Sequence, residues 1–154
     1  MNKHSYKFRY IYALIAGLSA SFAIGLLSLS TQLSPNLVLL IAPFGSTSVI
    51  VFGLPHSPHA QPKNVIFGHF ITAFIGVCFV EFIGVTSLDM AIATGLAVSV
   101  MLITRTVHPP AGANPLLIML TAQSWDFLFT TVLLGTLVMV SIAQGVKTIR
   151  EKYV

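Results

Sequence analysis

The chain has 154 residues, 55% of them hydrophobic and 8% charged, with a mean hydropathy of +0.89. A soluble domain carries about 25% charged residues, and no soluble fold of this length has interior enough to hide so much apolar surface, so lipid must act as solvent for much of it. The net charge of +4 comes from bases gathered near the ends (Lys3, Lys7, Arg9 and Lys147, Arg150, Lys152), which flank apolar spans, form no nucleic-acid face and read as cytoplasmic anchors.

A hydrocarbon layer about 30 Å thick takes roughly 20 helical residues. Segments at about 10–31, 64–85, 89–107 and 126–146 meet this length. The first follows bases as a signal peptide would. Its apolar run from Tyr10 to Leu29 is long, however, and more spans follow, so it reads as an uncleaved helix. Ser34-Pro35-Asn36, Ser87-Leu88-Asp89 and Ser124-Trp125-Asp126 supply helix caps between spans. Trp125 suits a membrane interface. Gly17, Gly25, Gly68, Gly76, Gly84, Gly95 and Gly135 lie inside spans, where small residues allow close packing. Cys78, the single cysteine, sits in an apolar run and has no disulfide partner.

Two apolar segments are interrupted. Leu37 to Pro55 contains Pro43-Phe44-Gly45-Ser46, and the spacing predicts a helix that breaks there and restarts at Thr47. His108 to Thr121 opens with three prolines in seven residues; proline removes an N–H and biases the residue before it away from helix. An extended leg over 108–113 is expected, followed by a helix capped by Asn114 with Pro115 at its first position. Each interruption stands between two long helices. The chain thus reads as one transmembrane domain, 1–154, all-α and polytopic, built from two inverted three-element repeats (about 1–87 and 88–154), each with a broken or re-entrant half-helix. If both breaks cross the membrane, Lys63, Arg105 and both termini fall on the cytoplasmic side. If both are re-entrant, four full spans remain and either Lys63 or Arg105 is misplaced.

Irregular backbone at membrane depth is tolerated only where protein buries it or where it lines a wet cavity. Paired breaks therefore point to a central site, as in secondary transporters. Restarted half-helices offer free N–H groups and a positive dipole end, which favour a small anion. Gly45 and Gly112 would let that anion approach the backbone, with Ala113 alongside; Ser46, Thr47, Ser48 and Asn114 would add hydrogen bonds. Arg105 reads either as the anion's partner or as an interfacial cation. His69 reads as a carbonyl partner or a proton-sharing group, and His108 as a ligand contact or a structural carbonyl partner. His56 and His59 read as a solvated loop with no metal-site spacing. Glu81 reads as interfacial. No P-loop, dinucleotide fingerprint or Ser-His-Asp set is present, so the chain does not read as an enzyme and implies no bound cofactor.

Ala42-Pro43-Phe44-Gly45-Ser46-Thr47-Ser48, then Ser57-Pro58-His59-Ala60-Gln61-Pro62-Lys63-Asn64 with Gly68-His69, resembles the first signature of the HPP family of integral membrane proteins. Thr104-Arg105-Thr106-Val107-His108-Pro109-Pro110-Ala111-Gly112-Ala113 resembles the second. The family usually has Arg where Lys63 stands; Lys keeps the charge and loses the bidentate fork. Members in cyanobacteria and chloroplasts are associated with nitrite transport. The resemblance therefore implies a nitrite transporter, here expected in a bacterial inner membrane. An anion channel and a non-transporting sensor or assembly module are the competing readings. Small-residue faces also predict a homo-oligomer.

Overall fold

A computed structural model describes the protein over residues 3–34 and 37–153, with side chains from 9 to 34 and from 37 to 152. Among these residues the elements are α1 (Lys3–Leu33), α2 (Ala42–Gly53), a 3-10 turn (Pro58–Ala60), α3 (Pro62–Phe82), α4 (Ser87–Ile103), a second 3-10 turn (Pro109–Ala113), α5 (Asn114–Leu120), α6 (Trp125–Phe127), a π-helical stretch (Leu128–Leu133) and α7 (Leu134–Tyr153). Among the described residues, three helical stretches are long and apolar enough to cross a membrane: Arg9–Leu33, Pro62–Phe82 and Trp125–Lys152. In α3, 50% of the apolar window is buried, against 11% in α1. Thus α3 is the central pillar and α1 lies at the periphery.

Close contacts fix the direction of each pass. The Tyr12 hydroxyl donates to Gly53 O at 3.1 Å, so the end of α2 lies beside the start of α1. At the other end, Leu39 N donates to Ser30 Oγ at 3.2 Å, which seats the extended leg 37–41 beside the end of α1. Leg and α2 together thus run the length of α1 in reverse. In the second half, Asn114 bonds Thr72 while Ile118 abuts Gly76, so α5 runs parallel to α3. Trp125 then stacks near Phe74 and Phe82, with centroids 5.7 and 6.3 Å away, at the end of α3. Both interrupted segments therefore traverse the bundle, each as irregular backbone plus a short helix. At 12 residues α2 is about 18 Å long, well short of a hydrocarbon layer.

Glycines set the closest approaches. A Cβ on Gly68 would sit 2.9 Å from Thr106 O, and one on Gly76 would sit 3.0 Å from Pro115 Cα. A Cβ on Gly135 would fall 2.5 Å from Phe44 Cε2 and 2.8 Å from Leu39 O. Bare backbone at these points lets the broken elements lie against α3 and α7.

Several expected boundaries shift. The first break lies at 37–41, ahead of Pro43-Phe44-Gly45-Ser46: α2 starts at Ala42 with Pro43 in its first turn, where its missing N–H costs nothing, so Gly45, Ser46 and Thr47 are all helical. The proline leg is extended at His108 alone and then a 3-10 turn, in place of the extended leg expected over 108–113. Asn114 does not cap α5, because its amide is spent on α3, while Pro115 stands in the first turn as expected. The cap of α4 is Thr86 rather than Ser87: its hydroxyl accepts from Asp89 N, and Asp89 accepts from Thr86 N, a reciprocal capping box. Ser124 precedes α6 without a side-chain cap bond. Pro35 and Asn36 of the first expected cap, and the side chains of Lys3 and Lys7, lie outside the described residues.

Candidate functional site

Four of the candidate residues meet in one buried polar cluster at the centre of the bundle. Thr47 (α2), His69 and Thr72 (α3), His108 and Asn114 are each fully inaccessible to solvent. Thr47 Oγ1 lies 2.9 Å from His69 Nε2, 3.0 Å from His108 Nε2 and 3.1 Å from Pro43 O. His108 Nδ1 is 2.7 Å from His59 O. Asn114 Nδ2 is 3.0 Å from each of His69 Nδ1, His69 O and Thr72 Oγ1. Phe44 covers His69 edge-on at 5.2 Å, and the two imidazoles are 5.0 Å apart. Burying polar groups costs stability unless they are paired, and here each side chain has at least one partner. The cluster ties α2, α3 and the second break together.

His59 departs from the solvated-loop reading. It is partly buried, its Nδ1 donates to Val107 O at 3.0 Å, and its carbonyl holds His108. Asn64 Nδ2 donates to the same Val107 O at 3.0 Å. These bonds lock the loop before α3 to the leg after α4. His56 is exposed, as expected of a loop residue.

On the other face of the same elements is an open groove of about 720 Å³ between α2 and the proline turn with α5. Ala42, Pro43, Ser46, Val49 and Ile50 of α2 form one wall, and Pro109, Pro110, Ala113 and Leu117 form the other. Ser46 is the one side chain with a polar atom among these residues. The hollow is thus far less polar than expected. Pro43 lacks an N–H and Phe44 N donates to Ile41 O at 2.9 Å, so the first turn of α2 keeps few free amides. At 7 residues α5 is too short for a substantial dipole.

The remaining candidates divide. Gly45 is exposed and Gly112 half-buried; both face open space on the side where a Cβ would stand. Ser48 is buried, its hydroxyl donating to Gly45 O at 2.7 Å, so it is committed to its own helix. Arg105 stands apart from cluster and groove. It is exposed just past α4, with φ +56°, and Thr106 N bonds Met101 O at 2.9 Å, as in a left-handed helix terminus where glycine is usual. Glu81 is exposed near the end of α3.

The sequence reading missed Arg150. Grouped with Lys147 and Lys152 as an anchor, it is in fact buried. Its Nη1 donates to Phe52 O at 2.6 Å and its Nη2 to Tyr12 O at 3.2 Å, and its guanidinium lies 4.2 Å from the centre of the Tyr12 ring. It clamps α7 to α1 through Tyr12 O and to the end of α2 through Phe52 O, where a cation also meets the negative dipole end. The pairings span 98 and 138 residues of sequence, and no local pattern signals them.

No solved structure matches the chain. Two transmembrane proteins of Dictyostelium discoideum are similar. One is 34% identical over 146 residues, covering 90% of this chain and 51% of that protein. The other is 32% identical over 137 residues, covering 84% and 44%. The chain thus spans about half the length of these relatives. The model of the HPP transmembrane region matches residues 5–154. With that match across nearly the whole chain, this integral membrane protein belongs to the HPP transmembrane family.

Proposed function

We propose that the protein carries a small inorganic anion across a membrane, nitrite being the first candidate through the family resemblance. The observation that supports this most is the meeting of two interrupted segments around one groove, backed by a buried polar cluster. Irregular backbone is costly in hydrocarbon, and paired breaks of this kind serve substrate sites in transporters. The Ser46 hydroxyl would hydrogen-bond the anion, while the apolar walls keep it weakly held. Weak holding suits throughput, since an ion must leave as readily as it enters. The first helix of each half runs in the opposite direction to that of the other, in keeping with an inverted repeat that rocks about the shared groove. Basic residues at the Arg150 end favour a cytoplasmic position for both termini, with a bacterial inner membrane as the expected location.

The groove is open along one side, and the irregular backbone of the proline turn lines it. Lipid cannot satisfy such backbone. A second copy of the chain is the proposed cover, making the working unit a homo-oligomer. The reading assigns the chain no enzymatic activity and no bound cofactor.

Purified protein in liposomes, given nitrite, nitrate, formate and chloride in turn, tests the proposal. Saturable nitrite entry above that of protein-free vesicles is expected. Entry equal to that of empty vesicles for all four anions would reject a transporter in favour of a sensor or assembly module.

A further inference from the structure

The hydrogen bonds of the buried cluster dictate where its protons sit. A carbonyl only accepts, so His108 Nδ1, 2.7 Å from His59 O, must carry a hydrogen. In a neutral ring Nε2 is then bare, and the Thr47 hydroxyl donates to it across 3.0 Å. That hydroxyl has one hydrogen, so toward His69 Nε2, at 2.9 Å, it accepts. His69 therefore bears its hydrogen on Nε2 and leaves Nδ1 bare to accept from Asn114 Nδ2 at 3.0 Å. The two histidines are opposite tautomers, joined through a single hydroxyl.

This arrangement leaves one acceptor spare. Pro43 O lies 3.1 Å from Thr47 Oγ1 and receives nothing from it while the hydroxyl points at His108. If a proton binds His108 Nε2, that nitrogen becomes a donor to Thr47 Oγ1. The Thr47 hydrogen then swings to Pro43 O. Oγ1 accepts from both rings and donates once, so Thr47, both Nε2 atoms and Pro43 O all keep a partner. The cluster gains one proton and one positive charge, and no other bond is lost. A proton added to His69 Nδ1 would instead displace the 3.0 Å bond from Asn114 Nδ2 and find only Oδ1 of the same amide, 3.4 Å away. His108 is therefore the seat.

A buried imidazolium is costly unless an opposite charge lies near. Among the described residues, the titratable side chains nearest the pair are the rings themselves and His59. The elements α2, α5 and the proline turn contain no ionisable side chain. On α3, Lys63 and Glu81 are exposed near opposite ends, and Cys78 lies more than two turns beyond His69. Asp89, on α4, sits in the Thr86 cap. No carboxylate is therefore at hand to balance the charge. The groove is: Pro43, the spare acceptor, lines it, and Pro109, which follows His108, lines it opposite. Resting on the transport reading above, we infer that His108, Thr47 and His69 form a proton-binding site that fills together with an anion in the groove, so that one proton and one anion travel in the same direction. Linkage makes the effect mutual: each ligand raises the affinity for the other by the same factor.

Two measurements test this. In protein with 15N-labelled imidazoles in lipid nanodiscs, ring-nitrogen NMR shifts should show the hydrogen on Nδ1 of His108 and on Nε2 of His69. Saturating nitrite should raise the proton affinity of His108 by roughly tenfold. Matching tautomers, or a His108 titration indifferent to nitrite, would overturn the inference whether or not flux is seen. In liposomes holding a pH dye, nitrite entry above the protein-free background should bring protons in at about one per anion, and an inside-alkaline gradient should drive it. Thr47→Val should lower the proton-to-anion ratio by roughly tenfold and Thr47→Ser should restore it. Protein-mediated nitrite entry without protons would defeat the coupling and leave the transporter reading standing. A nitrite-sensitive His108 without any flux would defeat the transporter reading and leave the linked site.

Discussion

Arg150 and Arg105 show how differently the same side chain is used. Arg150 is buried, with two carbonyl bonds and an aromatic face, and its Nε is left without a partner. Charge-assisted bonds of this kind contribute more than neutral ones. Arg150→Ala should destabilise the protein by about 3 kcal/mol, read as a fall in the thermal midpoint in detergent. Arg150→Lys should recover only part, because an ammonium cannot reach both carbonyls while stacking on Tyr12. Equal midpoints for the two variants would refute the clamp. Arg105 pays for its backbone instead. Arg105→Gly removes the left-handed strain at φ +56° and should raise stability by roughly 1 kcal/mol in the same assay. A fall would mean that the side chain makes a contact worth more than the strain. Thr47, His69, His108 and Asn114 were legible as candidates because polar residues inside apolar runs demand partners. The partners themselves lie 22 to 61 residues apart and follow from tertiary packing that no spacing encodes.

The breaks were legible as elements, and their edges were not. Proline and glycine announced an interruption near 43–46, but Pro43 fits the first turn of a helix as readily as it ends one. The choice fell to packing: Phe44 is buried against His69 and against the bare backbone of Gly135. Gly135→Ala tests that contact. Its methyl would meet Leu39 O at 2.8 Å, and a backbone oxygen in the leg has little room to retreat. The variant should lose about 1–3 kcal/mol of stability. An unchanged midpoint would show that the leg before α2 yields freely. Asn114 gives the converse lesson. Its residue type and its place before Pro115 both favoured a cap, yet binding the α3 backbone and Thr72 satisfies the amide in a site no solvent reaches.

Over the whole molecule, composition argued for a membrane protein, because apolar content and sparse charge leave no soluble alternative, and the length of the apolar runs made it a helical bundle. The lining of the groove was not legible: Ser46 faces it, while Thr47 and Ser48 turn inward on the same helix. If a second copy closes the open side, cysteines placed at Val49, which is 65% exposed, should cross-link between chains in native membranes. Their absence from any cross-linked dimer, under conditions that join exposed cysteines elsewhere, would leave the groove to lipid. The central claim is that the anion passes between the two interrupted segments. Nitrite flux through liposomes containing Ser46→Phe, compared with the unaltered protein at matched folding and insertion, tests it most directly. Loss of nearly all flux is the predicted result; flux undiminished by a ring filling the groove would contradict it.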